Sequence, residues 1–138
     1  MKIKVITMFL ILIVSTGCNS KNEAQSFSTE GEYWKGDLII NESEPELLGS
    51  GELVNTTFEY IGDAENIQSI VIYYRSGGTP YEYSISHPIG TLPESKQIKD
   101  EYENSYLGVL NALDYIPFLI EWSEDGNLKE EELIFKAE

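Results

Sequence analysis

The sequence predicts an all-β fold, an antiparallel β-sandwich with at most one or two short helical turns, and three observations carry that reading. Over 34–40, 54–60, 118–122 and 133–137, mostly apolar side chains recur at every second position, the period of a strand with one buried face. Turn-forming Gly, Pro, Asn and Asp punctuate the runs at short intervals. No stretch keeps the spacing of a long amphipathic helix. Six or so short strands without long helices bury their apolar faces as two facing sheets or as a barrel.

The N-terminus reads as an address. Lys2 and Lys4 precede an apolar run from Val5 to Val14, and small or polar Ser15, Thr16 and Gly17 follow, the three-part pattern of a secretory signal peptide over 1–17. The run rises about 1.5 Å per residue and covers roughly 15 Å, half of a hydrocarbon core of about 30 Å, so it is too short to span a bilayer comfortably. The single cysteine, Cys18, comes next. An unpaired thiol in an exported chain calls for an explanation. Thr16-Gly17-Cys18-Asn19-Ser20 resembles the lipobox of bacterial lipoproteins, and the resemblance implies a lipidated Cys18 as first residue of the mature chain. The membrane partner is then reached through the acyl chains at Cys18. The implied location is the outer face of the cytoplasmic membrane, where two or three chains hold a protein effectively permanently. Residues 18–29 are mostly polar, with Phe27 the single aromatic, and read as a flexible tether. The domain occupies 30–138.

Without the signal about 120 residues remain, enough for one domain and too few for the two-lobed cleft of an importer's solute-binding subunit. The whole chain carries 9 basic and 24 acidic residues, a net charge of −15, and losing Lys2 and Lys4 makes it more negative. Such a charge repels nucleic acid and anionic envelope polymers, so no nucleic-acid partner is expected and a charged partner should be cationic. The plainer reading is that acidity keeps an anchored monomer dispersed.

Each strand follows from its pattern. Trp34, Leu38 and Ile40 alternate with polar neighbours, and Val54, Thr56, Phe58 and Tyr60 do so after a turn-rich stretch. Ile67–Ser76 and Tyr81–Ser86 form two further runs around Gly77-Gly78, the pattern of a hairpin. Phe118, Ile120 and Trp122 share one face of the next strand. Asp125-Gly126 turns the chain, and Leu133, Phe135 and Ala137 face inward on the last strand, leaving Glu130, Glu132 and Lys136 to solvent. Residues 92–115 are less legible; Tyr106, Gly108 and Leu110 would suit a short strand, but Tyr106, Leu110 and Leu113 at helical spacing favour one or two helical turns before Pro117. The tryptophan of Phe118–Trp122 and the closing hairpin are similar to the last strands of immunoglobulin-like and fibronectin type III-like domains, and this resemblance implies a sandwich of that class.

Signs of catalysis are sparse. The one histidine, His87, precedes Pro88 and reads as an extended loop or strand-end residue rather than a general base. With Cys18 consumed by lipid, no thiol chemistry and no two-histidine zinc site are open, so no metal or cofactor is expected. Glu42, Glu44 and Glu46, Glu124 and Asp125, and Glu130 to Glu132 lack calcium-loop rhythm and read as solvated faces. Asn41-Glu42-Ser43 and Asn55-Thr56-Thr57 match the glycosylation triplet, in a bacterial chain an accident of sequence. The stretch singled out for binding is Ile72–Ser86, where Tyr73, Tyr74, Tyr81 and Tyr83 gather around the glycines with Arg75. Tyr74 shares the core face of Ile70 and Ile72, so Tyr73, Arg75 and Tyr81 remain as candidate binding residues. The expected function is non-enzymatic, capture of a protein or cell-envelope component. The alternative is a small envelope hydrolase using a carboxylate pair.

Overall fold

A computed structural model describes residues 24–41 and 52–137, and the expected signal peptide, Cys18 and the acidic residues at 42–46 lie outside the described residues. The chain forms an antiparallel β-sandwich. In order the elements are β1 (Gln25–Glu30), β2 (Trp34–Asn41), β3 (Glu52–Tyr60), β4 (Ile67–Tyr74), β5 (Ile85–Gly90), β6 (Gln97–Asn104), α1 (Tyr106–Leu113), β7 (Tyr115–Glu124) and β8 (Asn127–Lys136). One sheet has the order β1-β2-β3-β6 and the other β5-β4-β7-β8. The chain therefore crosses between sheets after β3, after β5 and after β6, the last time through α1.

The even-spaced residues face each other across the sandwich. Trp34, Leu38 and Ile40 of β2 and Val54 and Phe58 of β3 are buried against Phe118, Ile120 and Trp122 of β7 and Leu133 and Phe135 of β8. Edge-to-face aromatic contacts run through this core, among them Trp34 with Trp122 at 5.8 Å and Phe58 with Phe118 at 5.2 Å between ring centroids. Asp125 and Gly126, at φ +51° and +83°, form the two-residue turn between β7 and β8, the left-handed pair a tight hairpin requires.

Three expectations need correction. Gln25–Thr29, read as tether, form most of β1, which pairs with β2 from Gln25↔Ile40 to Glu30↔Lys35 and buries Phe27. Polar composition hid a strand that buries one side chain deeply. The run expected at Tyr81–Ser86 starts late: β5 covers Ile85–Gly90 and includes Pro88, which an edge strand tolerates because its N–H side needs no partner. The illegible region contains the strand β6, whose inward side chains are Ile98, Asp100, Tyr102 and Asn104, followed by the expected short helix. In β4 the alternation breaks once, at a bulge where Ser69 has φ +53°.

Candidate functional site

The β4–β5 connection leaves the sheet at Arg75. A narrow turn brings Thr79 back to Ser76, with the Thr79 N–H donating to the Ser76 carbonyl at 3.0 Å. The glycines here serve packing. A Cβ on Gly77 would lie 2.5 Å from Ser105 Cβ and 2.8 Å from the Ser105 carbonyl oxygen, so this backbone sits directly on the entrance of α1. Asn104 Nδ2 donates to the Arg75 carbonyl at 3.0 Å and completes the dock. Gly77 pins the base of the loop, and of the two glycines only Gly78 has open space around it.

Tyr73 stands on the outer face of the β5-β4-β7-β8 sheet, and Arg75 follows two positions on, just past the end of β4. Tyr73 lies opposite Leu119, and its hydroxyl donates to Glu121 Oε2 at 2.9 Å. Tyr83 folds over the same face and donates to Glu132 Oε2 on β8 at 2.5 Å. The guanidinium of Arg75 lies 4.7 Å over the Tyr83 ring, and its Nη1 donates to the Pro80 carbonyl at 3.3 Å. The hydrogen bond to the Glu121 carboxylate raises the Tyr73 phenol above its ordinary pKa. Burial first, then the Glu132 carboxylate, pushes Tyr83 well up, with Arg75 opposing. Both hydroxyls are held protonated as donors.

Of the three candidate residues, Tyr73 and Arg75 thus belong to one cluster, whereas Tyr81 stands apart at the loop tip, 69% exposed. Three members were missed: Tyr83, outside any strand, and Glu121 and Glu132, which alternation assigned to plain solvent surface. No signal in the sequence joins Tyr83 to Glu132, because 49 residues separate them. Tyr74 packs inward as expected, 5.0 Å from Tyr102 and 6.1 Å from Phe118.

Two other polar features are structural. His87 stands in β5, and its Nδ1 lies 2.6 Å from Asp100 Oδ2 of β6, linking the open edges of the two sheets. On the opposite side, Glu131 of β8 reaches the β1–β2 turn. Its carboxylate accepts the backbone N–H groups of Glu32 at 2.5 Å, Tyr33 at 3.2 Å and Trp34 at 2.8 Å. Among the described residues no three His, Cys, Asp or Glu side chains converge as a metal site. Comparison with family models, curated proteins and solved structures finds no match to this chain.

Proposed function

We propose that this chain is an exported, lipid-anchored, non-enzymatic β-sandwich of immunoglobulin-like type that binds a protein or cell-envelope component carrying basic groups. The single observation behind the binding reading is the cluster of Tyr73, Tyr83, Arg75, Glu121 and Glu132 on one exposed sheet face. Aromatic rings held rigid by hydrogen bonds offer contact area at small entropic cost, and the adjacent carboxylates suit cationic groups. The class assignment is supported by strand order. With β2 taken as the first strand, β5-β4-β7-β8 follows the C′-C-F-G order of immunoglobulin-like sheets, and β3 beside β6 matches the B–E pair. β1 is then an added edge strand. Anchoring is supported by the Thr16–Ser20 motif alone.

A photo-crosslinking residue placed at position 73 or 75 in cells tests the binding reading. A discrete adduct is expected there, and none at Lys99, whose backbone pairs with Thr57 in the other sheet. Tyr73→Ala with Arg75→Ala should weaken capture by more than about 2 kcal/mol if the face holds a hot spot. Equal crosslinking at 73 and 99 would reduce the tyrosine face to ordinary sheet surface.

A further inference from the structure

Among the described residues the two sheets end in four edge strands, β1 and β6 in one and β5 and β8 in the other. β1 and β8 border the same side, tied together by the Glu131 carboxylate on the backbone of the β1–β2 turn. On the opposite side β5 is broken by Pro88 and by a register shift at Ile70/Val71, both of which discourage a further strand. β6 has neither. It contains no proline and pairs with β3 without a break from Glu59↔Gln97 to Glu52↔Asn104.

Two bonds give the direction of its free backbone groups. Tyr60 N–H donates to the Lys96 carbonyl at 2.9 Å and Ile61 N–H to the Tyr33 carbonyl at 2.8 Å, so even-numbered residues of β3 turn to β6 and odd-numbered ones to β2. Ile98, Asp100, Tyr102 and Asn104, the register partners of those even residues, therefore bond to β3, and Gln97, Lys99, Glu101 and Glu103 turn their N–H and C=O groups off the edge. Side chains cap part of that row. Ser95 Oγ accepts the Gln97 N–H at 3.3 Å, and Asp100 Oδ1 accepts the Glu101 N–H at 2.9 Å. Asp100 Oδ2 lies 2.6 Å from His87 Nδ1 on β5, so the carboxylate is held from both sides. Asp100 shares the inward face of β6 with buried Ile98 and Asn104, and an inward charge on an edge strand is a known protection against pairing.

Apart from Asp100, β6 is complementary to itself. In an antiparallel pair of two copies about a two-fold axis, with Lys99 opposite Glu101 of the second copy, lysine meets glutamate twice, Gln97 meets Glu103 and Ile98 meets Tyr102. A shift of two residues either way sets Glu101 or Lys99 against itself. In the complementary register Asp100 stands directly opposite Asp100 of the second copy, Cα atoms about 4.5 Å apart, and its Oδ1 occupies the Glu101 N–H that the opposite Lys99 carbonyl would accept. We propose that β6 is a strand-addition edge for a second copy of this chain, and that Asp100, held by His87, keeps it shut. The net charge of −15 opposes association further.

The test is sedimentation equilibrium of the full chain in a density-matched detergent with a thiol reductant, which keeps the apolar run of 5–14 dispersed and Cys18 from linking copies. The unsubstituted chain should sediment as a monomer. Asp100→Ala removes the guard, and Asp100→Thr removes it with a residue that strands favour; each should raise the self-association constant at least about tenfold. Glu101→Pro added to Asp100→Thr should cancel the gain, because the N–H it removes points away from β3. A second control keeps the strand whole. In the Asp100→Thr background Lys99→Glu should also cancel the gain, and Lys99→Glu together with Glu101→Lys should restore it. An unsubstituted chain that associates as tightly as the Asp100→Thr chain, an Asp100→Thr chain that stays monomeric, association that survives Glu101→Pro, or failure of the swapped pair to restore it overturns the proposal.

Discussion

Glu131 is the residue that most clearly fixes a part of the fold by itself. An inward carboxylate on an edge strand is destabilising unless paired, and here three consecutive backbone donors of the β1–β2 turn satisfy it. Glu131→Ala would leave the part-buried N–H groups of Tyr33 and Trp34 without their acceptor, and the urea midpoint should fall by the equivalent of about 1–3 kcal/mol, whereas Glu130→Ala should stay within about 0.5 kcal/mol. Trp122 is fully buried between Tyr33 and Trp34, so Trp122→Ala should cost about 3–5 kcal/mol in the same measurement. The tyrosines set the alkaline limit. Burial, then the Glu124 carboxylate, pushes Tyr60 up from 10.0 to about 12, and burial pushes Tyr102 and Tyr106 well above the ordinary range. These groups ionise near pH 10 in the unfolded chain and later in the folded one. Their stabilising contribution is therefore complete below pH 10 and is lost as pH rises from about 10 through about 12. Phenolate absorbance should show a late-titrating fraction at pH 11 that appears at once when urea unfolds the chain.

At the scale of elements, the edges of the sheets are what the sequence conceals. β2, β3 and β7 carry apolar residues at alternate positions because both sheets bury their inner faces there, and the centres of these strands were legible; β8 does so only at Leu133 and Phe135, and Ala137, expected to face inward, is exposed beyond its end. β1 and β6 were hidden and β5 was expected too early in the chain; all three are edges, and β8, the fourth edge, was legible through its Asp125-Gly126 turn. β1 buries only Phe27, β5 buries nothing fully, and β6 turns Asp100 and Asn104 inward beside Ile98 and Tyr102, so no apolar alternation survives to be read. Edge strands gain from polar and charged residues that discourage pairing with other chains. The binding candidates were half legible for a related reason. Alternation placed Tyr73 outside and Tyr74 inside correctly, but Tyr83 reaches Glu132 through tertiary folding of a loop, which no periodicity encodes. The docking of the β4–β5 loop on α1 gives a discriminating pair of substitutions. Gly77→Ala forces the loop away from Ser105 and should cost about 1–3 kcal/mol, while Gly78→Ala, with only Ser76 Oγ at 4.0 Å, should be near neutral. Equal denaturation midpoints for the two would mean that the loop is not seated on the helix.

On the scale of the whole molecule, the sandwich is closed by polar contacts on both sides: Glu131 joins the β8 edge to the β1–β2 turn, and His87 with Asp100 joins β5 to β6. Between these seams lies a core of aromatic and aliphatic side chains, and on the outer face of one sheet the tyrosine–carboxylate cluster is presented sideways relative to the end where the chain enters. In the proposed account, a lipid at Cys18 tethers the domain to the membrane and the tyrosine–carboxylate face takes the partner. No helix among the described residues is long and apolar enough to cross a membrane. The most direct measurement is mass spectrometry of the protein isolated from its own membranes and cut with trypsin. Cleavage after Lys21 should yield a peptide from Cys18 to Lys21 that is heavier by a diacylglyceryl group, with nothing N-terminal to Cys18 attached. An unmodified peptide running from Val5 through Cys18 to Lys21 would contradict the anchor and the function built on it.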